Sequence, residues 1–568
     1  MIHRLHGRRE DAAARRALAP ALTALLLLTA LAASACERRQ PQSATSAPAP
    51  ASSTSPAAAR IAGINLEGIQ HEPHQWPFLN VLKVAPPFMA RNARHVEGGR
   101  NAGDSGLADR IPRDDDGYPL GLPADVPGAE AAQVVWTRIY AGVRGRYPAG
   151  EYTVLFDGSG DLLFGGDARE ATHASAPGRR RILVTPTDEG ISIVISRSQP
   201  GDHLRNLRIL APPASDTGTA QGGNPFHPLF LERLRPFKVI RFMDWQRTNS
   251  TPARSWSDLK PPSYYTFNLD TGVPPAVMID LCNALGASPW LCIPHAADDD
   301  LVRALAALVR DRLDPALRVY VEYSNEVWND QFVQGRYAAE RGVARGLSAD
   351  PAQARALYTA LRSGEIFHIF EYTFGGAARL VRVVPSQATN TGLTRRLLSY
   401  GQQTFGRAWA DALAIAPYFS IDGRIDPARL AALDLDGLFD LLPAAADAAL
   451  AHAAAHKAMA DAFGLALVAY EGGQHLVGEG DDRLTLLYIT ANRDRRMYRL
   501  LRMYHDGWWE RGGGLMCAFT LTSPYSKWGS WGYLEWQDQR LDEAHKYRAL
   551  VDSISAAQRA QPPPLPPP

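Results

Sequence analysis

The sequence predicts an α/β protein: a (β/α)8 TIM barrel with a small β-sandwich domain inserted after the first barrel strand. Three observations carry this expectation. Eight apolar runs read as strands, near residues 64, 240, 291, 320, 382, 414, 467 and 517. Seven of them lie beyond residue 235, mostly separated by helix-period segments, which is the grammar of a parallel sheet. Between the first and the second, residues 131–215 carry closely spaced β-type runs broken by turn signals, with no helix pattern between them. A doubly wound open sheet is the rival arrangement, but no strand is followed by the glycine-rich phosphate loop that such sheets commonly carry.

The chain opens on a targeting signal. Arg4, Arg8, Arg9, Arg15 and Arg16 precede an apolar run, Ala21 to Ala33, that is short for a membrane span. It ends in Ala32-Ala33-Ser34-Ala35-Cys36, small residues before a cysteine, which resembles a bacterial lipoprotein signal with Cys36 as the lipidated residue. Ala33 stands where that pattern usually has leucine, so ordinary signal cleavage is the alternative. Either route exports the protein, to the periplasm or to an outer-membrane anchor. Residues 37–60, rich in Ser, Ala and Pro, form a flexible tether, and residues 556–568 a proline-rich tail. The expected membrane contact is the lipid at Cys36 alone. A net charge of +1 gives no reason to expect nucleic acid as a partner.

Residues 61–130 hold the first strand and an irregular stretch rich in Gly, Pro, Arg and Asp. Within it, His71 and His74 have metal-pair spacing but no third ligand, so they read as loop histidines. Gly103-Asp104-Ser105-Gly106 has the look of an esterase nucleophile block but lacks the apolar strand that should precede it. The four cysteines are Cys36, Cys282, Cys292 and Cys517. Cys292 and Cys517 sit in apolar runs and read as buried thiols, with a Cys282–Cys292 bridge left open. No CxxC pair or Cys/His cluster points to zinc, and neither metal nor organic cofactor is expected. In the insert, Asp157-Gly158-Ser159-Gly160 reads as a hairpin turn.

From residue 216 to about 555 strands alternate with helices. Pro225 to Leu234, Ala276 to Leu285, the run after Asp298–Asp300, Gln331 to Arg345, Gln353 to Gly375, Pro443 to Phe463 and Leu484 to Arg511 read as helices. The strands between them end in polar residues: Asp244-Trp245-Gln246, His295, Ser324-Asn325-Glu326, Tyr418 and Glu471-Gly472-Gly473. In parallel barrels chemistry collects at such carboxyl ends.

Two of these ends carry glutamate. Glu326 and Glu471 fall on the fourth and seventh strands, where two carboxylates can approach across one mouth. At about 5–5.5 Å apart, such a pair performs double-displacement glycoside hydrolysis. One must be ionised and the other must hold its proton, so their surroundings must differ. Arg241 is the candidate cation for Glu471, and Asn325 the candidate donor to a sugar 2-hydroxyl. His295 and Tyr418 are candidates to orient these groups. Trp245, Trp328, Trp528 and Trp531 are candidate stacking faces for sugar rings. Glu322 is the second candidate for the acid.

On these residues the chain resembles clan A of the glycoside hydrolases. The resemblance rests on Asn325-Glu326 at the end of strand four and Glu471 at the end of strand seven. It implies that Glu326 is the acid/base and Glu471 the nucleophile, with Arg241, His295 and Tyr418 in supporting positions. Trp528 or Trp531 then supplies the platform after strand eight. It covers residues 235 to 540 and leaves the β insert aside. The expected activity is retaining hydrolysis of a β-linked polysaccharide or oligosaccharide. The alternative is a non-catalytic carbohydrate-binding or envelope lipoprotein on the same scaffold, distinguished by whether the two glutamates do chemistry.

Overall fold

The computed structural model describes residues 60–70, 72–93, 105–123, 133–171, 176–213, 224–421, 425–478 and 480–560. The signal and tether with Cys36, His71 of the histidine pair, Gly103-Asp104 and the last residues of the tail lie outside them.

Strand β1 (Ala62–Asn65) opens the described chain. Eight strands follow before the next helix of any length: β2 (Met89–Asn92), β3 (Gln133–Ile139), β4 (Gly150–Asp157), β5 (Gly160–Gly166), β6 (Ala168–Glu170), β7 (Arg179–Val184), β8 (Ile191–Ser198) and β9 (Arg205–Leu210). They form two four-stranded antiparallel sheets, ordered β2-β3-β8-β5 and β6-β7-β4-β9. Buried Val135, Ile139, Ile193 and Ile195 from the first sheet join Tyr152, Val154, Ile182 and Ile209 from the second in one core. Two expectations need correction. β4 pairs with β7 and β9 while β5 pairs with β8, so the turn Asp157–Gly160 carries the chain from one sheet to the other and is not a hairpin. The stretch expected to be irregular also supplies β2, whose partner β3 lies more than forty residues on. Such non-local pairing leaves no periodic trace in a four-residue run.

The remaining strands are β10 (Val239–Arg241), β11 (Ser288–Ile293), β12 (Val319–Tyr323), β13 (Leu380–Pro385), β14 (Ala412–Ile415), β15 (Ala466–Ala469) and β16 (Met516–Ala518). With β1 they close a parallel barrel in sequence order, β1 pairing with both β10 and β16. All eight expected barrel strands are present. Around them run α1 (Pro228–Leu234), α2 (Pro275–Leu285), α3 (Asp299–Arg312), α4 (Val333–Ala344), α5 (Pro351–Phe374), α6 (Thr391–Phe405), α7 (Pro427–Ala431), α8 (Leu435–Phe463), α9 (Asp482–Arg493), α10 (Arg496–Glu510) and α11 (His545–Ala560). Asp298 caps α3 by accepting from Leu301 N–H, and Gly464 ends α8 in the left-handed conformation. The expected final helix is two helices: Asp494 leaves the helical path and its carboxylate accepts the Arg496 N–H, starting α10. Helix α8 begins before Pro443, capped by Asp434, so the proline is internal to the helix and does not start it.

Strand alternation sorts the barrel side chains into two layers. Outward residues such as Ile240, Leu291, Val321, Leu413 and Leu467 pack under the helices. Inward residues Val239, Trp290, Cys292, Val383, Ala412, Ala414, Val468, Tyr470 and Cys517 fill the lumen. Trp290 stacks on Tyr320 with ring centroids 5.3 Å apart. Cys282, Cys292 and Cys517 are all buried free thiols, which closes the question of a Cys282–Cys292 bridge. The sandwich joins the barrel through residues 78–88: Phe78 packs on Trp245 and Phe267, and Phe88 N–H donates to the Tyr265 hydroxyl at 2.9 Å.

Gly63 lies where β1 is squeezed between its two neighbours. A Cβ there would overlap Cys517 Sγ and sit 2.8 Å from the Val239 carbonyl oxygen. Gly63→Ala therefore lowers unfolding stability by about 1–3 kcal/mol, measured by denaturant titration. An unchanged midpoint would show that the lumen is looser than described.

Candidate active site

The site is built from residues at or just beyond the carboxyl ends of β1, β10, β12, β14 and β15. After Tyr323 the β12 chain leaves regular strand geometry: Ser324 and Glu326 have φ of 56° and 43°. Left-handed conformations are uncommon for residues with a Cβ and cluster at functional sites. This break separates Glu322 from Glu326. Glu322 stays in the lumen, fully buried, accepting from Trp290 Nε1 at 2.8 Å and from Arg241. It cannot reach a bond carried in by substrate, so Glu322 is withdrawn as a candidate acid. Glu326 turns toward the mouth and is only partly buried.

Arg241, at the end of β10, is fully buried and uses every N–H of its guanidinium. Nε and Nη2 both donate to Glu322 Oε2, at 3.1 and 2.9 Å. Nη1 donates to Asn65 Oδ1 at 3.1 Å and to Glu471 Oε1 at 2.9 Å. Nη2 also donates to Asn325 Oδ1 at 2.8 Å. Because a guanidinium only donates, it fixes the Asn325 amide with its oxygen inward. Asn325 Nδ2 then donates to Asn249 Oδ1 at 3.1 Å and keeps a second N–H. Gln334 donates to both Asn249 and the Asn325 carbonyl, holding this corner from α4. Asn65 is tied in turn to the carbonyls of Tyr470 and Ala518.

The two glutamates receive different partners. Glu471 Oε1 takes the Arg241 bond and Oε2 accepts the Tyr418 hydroxyl at 3.0 Å. Burial holds the Tyr418 hydroxyl well above its usual range, with the Glu471 charge adding, so it remains a donor. Glu326 Oε1 accepts the Tyr470 hydroxyl at 3.2 Å, and Asn329 lies at 3.5 Å from Oε2. No cation donates to Glu326 among the described residues. Burial raises the Glu326 carboxyl. Burial also pushes Glu471 up to about 8, Arg241 opposing and the Glu326 and Asp244 charges adding. Two such neighbours titrate as a pair, and with both carboxyls raised the pair gives up its last proton late. Until then it holds one proton and one negative charge. Burial pulls the proton toward Glu471, while contacts to a guanidinium and a phenol favour the anion there. The contacts decide, because ionised Glu326 would have no cation beside it. The proton rests on Glu326.

The other expected residues divide. Trp531 packs edge-on against Tyr418 at 5.6 Å and against His475 at 5.0 Å, beside the Glu471 pair. Its loop is held by Lys546 Nζ and Gln474 Nε2, which both donate to the Ser530 carbonyl. Trp528 projects farther out, 41% exposed. Trp328 is half-buried and donates Nε1 to the Tyr470 hydroxyl at 3.4 Å. Trp245 is a correction: it is fully buried among Phe78, Phe230 and Phe242 and offers no face to a sugar. The burial of a large ring outweighed its place beside a strand end. His295 is buried against Tyr337 and makes no described hydrogen bond to either carboxylate. Asn65 and Tyr470 were not foreseen, although Tyr470 directly precedes Glu471 and Asn65 ends the first strand.

No protein-family description matches this sequence, and no curated relative is found. Among solved structures the chain is similar to an arabinofuranosidase of glycoside hydrolase family 51 from Xanthomonas axonopodis pv. citri, at 12% identity and a TM-score of 0.35, covering 54% of this chain and 62% of that one. It is similar to a 4-O-α-L-rhamnosyl-β-D-glucuronidase from Fusarium oxysporum 12S, at 12% identity and a TM-score of 0.36, covering 57% and 64%. A broad-specificity endoglucanase from Ruminococcus flavefaciens gives 13% identity and a TM-score of 0.34, covering 61% and 92%. The chain thus spans less than two thirds of the length of the first two.

The Arg241 network makes a stability prediction. Arg241→Met strands the buried Glu322 carboxylate and lowers the unfolding free energy by about 3–5 kcal/mol in denaturant titration. A loss below about 1 kcal/mol would mean that Glu322 is neutral in the fold and needs no cation.

Proposed function

We propose that the protein is a retaining glycoside hydrolase that cleaves β-linked glycans by double displacement. The observation that supports this reading most directly is the asymmetry of the carboxylate pair: Glu471 accepts from Arg241 and Tyr418, whereas Glu326 accepts only from uncharged donors. Ionised Glu471 attacks the anomeric carbon while the Glu326 carboxyl gives its proton to the leaving oxygen. The glycosidic C–O bond breaks and a glycosyl ester forms on Glu471. Esterification removes the Glu471 charge, so the proton affinity of Glu326 falls and the group that was the acid becomes the base. It takes a proton from water, the hydroxide adds to the anomeric carbon, and the ester bond breaks. The configuration is retained after two inversions. The free N–H of Asn325 is placed for the sugar 2-hydroxyl, and Trp531 offers an apolar face. The chemistry uses no group beyond these side chains. A secreted enzyme tethered by lipid at Cys36 is the corresponding reading of the N-terminus.

The test is hydrolysis of aryl β-glycosides and of β-glucans, mannans, xylans and galactans. Glu326→Ala should lose about 10²–10⁴ in kcat on glycans, and Glu471→Ala should lose activity on every substrate. A folded wild-type protein that binds a glycan of this panel and cleaves none of them would support the carbohydrate-binding alternative.

A second expectation concerns pH. Burial raises the Glu326 carboxyl, so the pair keeps its last proton above the ordinary carboxylate range, and wild-type kcat/KM on glycans falls on the alkaline side as that proton is lost. With an aryl glycoside whose leaving group needs no proton, Glu326→Gln should show no such fall. Gln is neutral like the protonated Glu326 it replaces, so the acidic limb, set by Glu471, should stay where it is. An alkaline limb unchanged in Glu326→Gln would reassign the proton to another group.

A further inference from the structure

Beside the carboxylate pair, the barrel mouth holds a cavity with a charge of its own. About 540 Å³ in volume, it lies between the segments that follow β12 and β13 and the first turns of α5 and α6. Trp328, Arg355, Gln387, Asn390 and Arg396 line it, and no lining residue is acidic. That volume is within the about 300–1,000 Å³ of ordinary ligand clefts. Trp328 connects the cavity to the chemistry: its Nε1 donates to the Tyr470 hydroxyl, which donates to Glu326. The Trp328 wall of the cavity therefore touches the Glu326 side of the pair.

Two guanidiniums, the half-buried Arg355 and the exposed Arg396, give the cavity its charge. Elsewhere Arg362, Arg382 and Arg496 are each held by carboxylates at hydrogen-bond distance. Arg355 is only 17% exposed, yet its nearest acidic oxygen, on the largely exposed Asp330, is 3.9 Å away. That is too far to take a hydrogen bond. Arg396 has no acidic partner among the described residues. A partly enclosed guanidinium with free donors is poised for an anion, and its planar fork matches a carboxylate in particular. The indole of Trp328 supplies the apolar wall that a sugar ring prefers.

We propose that this cavity is a leaving-group subsite for a glycosyl unit bearing a carboxylate, a uronic acid residue held by Arg355 and Arg396 against Trp328. The proposal rests on the reading of Glu326 as the proton donor, since the donor stands on the leaving-group side of the scissile bond. It narrows the substrate from β-linked glycans in general to acidic ones.

The test separates the cavity from the catalysis. The full-length Glu471→Gln protein is run in affinity electrophoresis through gels containing glucuronoxylan, polymannuronate or hyaluronan. Each is paired with the same polymer after chemical reduction of its carboxyls to alcohols. At least one acidic polymer should be retained about tenfold more strongly than its reduced form, a difference lost in high salt. Adding Arg355→Gln and Arg396→Gln should abolish it. The exposed Arg396→Gln alone, which carries little folding risk, should reduce it. Equal retention of every acidic polymer and its reduced form, or full retention by the arginine variants, would overturn the proposal. Hydrolysis of neutral aryl β-glycosides by the wild-type protein is measured in parallel. Its absence would count against the glycosidase reading, while the retention data would still judge the cavity.

Discussion

One buried cation organises this site. Arg241 binds groups from β1, β12 and β15 at once, through Asn65, Glu322, Asn325 and Glu471, and its five donors leave no slack. A barrel brings strand ends near one another but does not fix their side chains within the fraction of an ångström that chemistry needs. Here the fixing is done by a planar group whose donor directions are set by its own covalent geometry. If the guanidinium moved, both the Asn325 amide and the Glu471 carboxylate would lose their orientation together.

The same cation sets the charge balance. Glu322 neutralises it from below in the lumen, which leaves Glu471 bound through one oxygen to a guanidinium whose charge is already largely met. That arrangement suits a nucleophile. A carboxylate paired alone with a free arginine would be a strong ion pair and a weak attacking group. Sharing the cation keeps Glu471 oriented, while burial, opposed by Arg241, keeps its proton affinity high. The neighbouring Asp244 carboxyl, itself raised by burial, adds to the upward shift of Glu471. The opposite side, at Arg355 and Arg396, has two cations in a cavity whose lining includes no acid.

Much of this was legible in the sequence, and the limits have physical causes. The barrel strands could be read because buried parallel strands are short apolar runs, and their polar ends stood out against them. Glu326 and Glu471 could be placed because strand order alone brings them to one mouth. Glu322 could not be separated from Glu326 by sequence, because the positive φ at Ser324 and Glu326 that parts them has no signature in Ser-Asn-Glu. Trp245 was misplaced because an indole after a strand can point to the mouth or to the helices, and packing against Phe78 and Phe230 decides it. Asn65 was missed because its role exists only through Arg241, far along the chain. The pairing of β4 and β5 into different sheets is likewise a property of topology that a local turn motif does not encode.

The central claim is the division of labour between Glu471 and Glu326, and azide rescue tests it most directly. Each glutamate is replaced by alanine, and the product formed from an activated aryl β-glycoside in the presence of azide is identified by NMR. The account predicts an α-glycosyl azide from Glu471→Ala, because azide attacks in place of the missing nucleophile with a single inversion. It predicts a β-glycosyl azide from Glu326→Ala, because azide there intercepts the glycosyl ester already formed on Glu471. The reverse assignment, or rescue of neither variant while the wild-type protein is active, would contradict it.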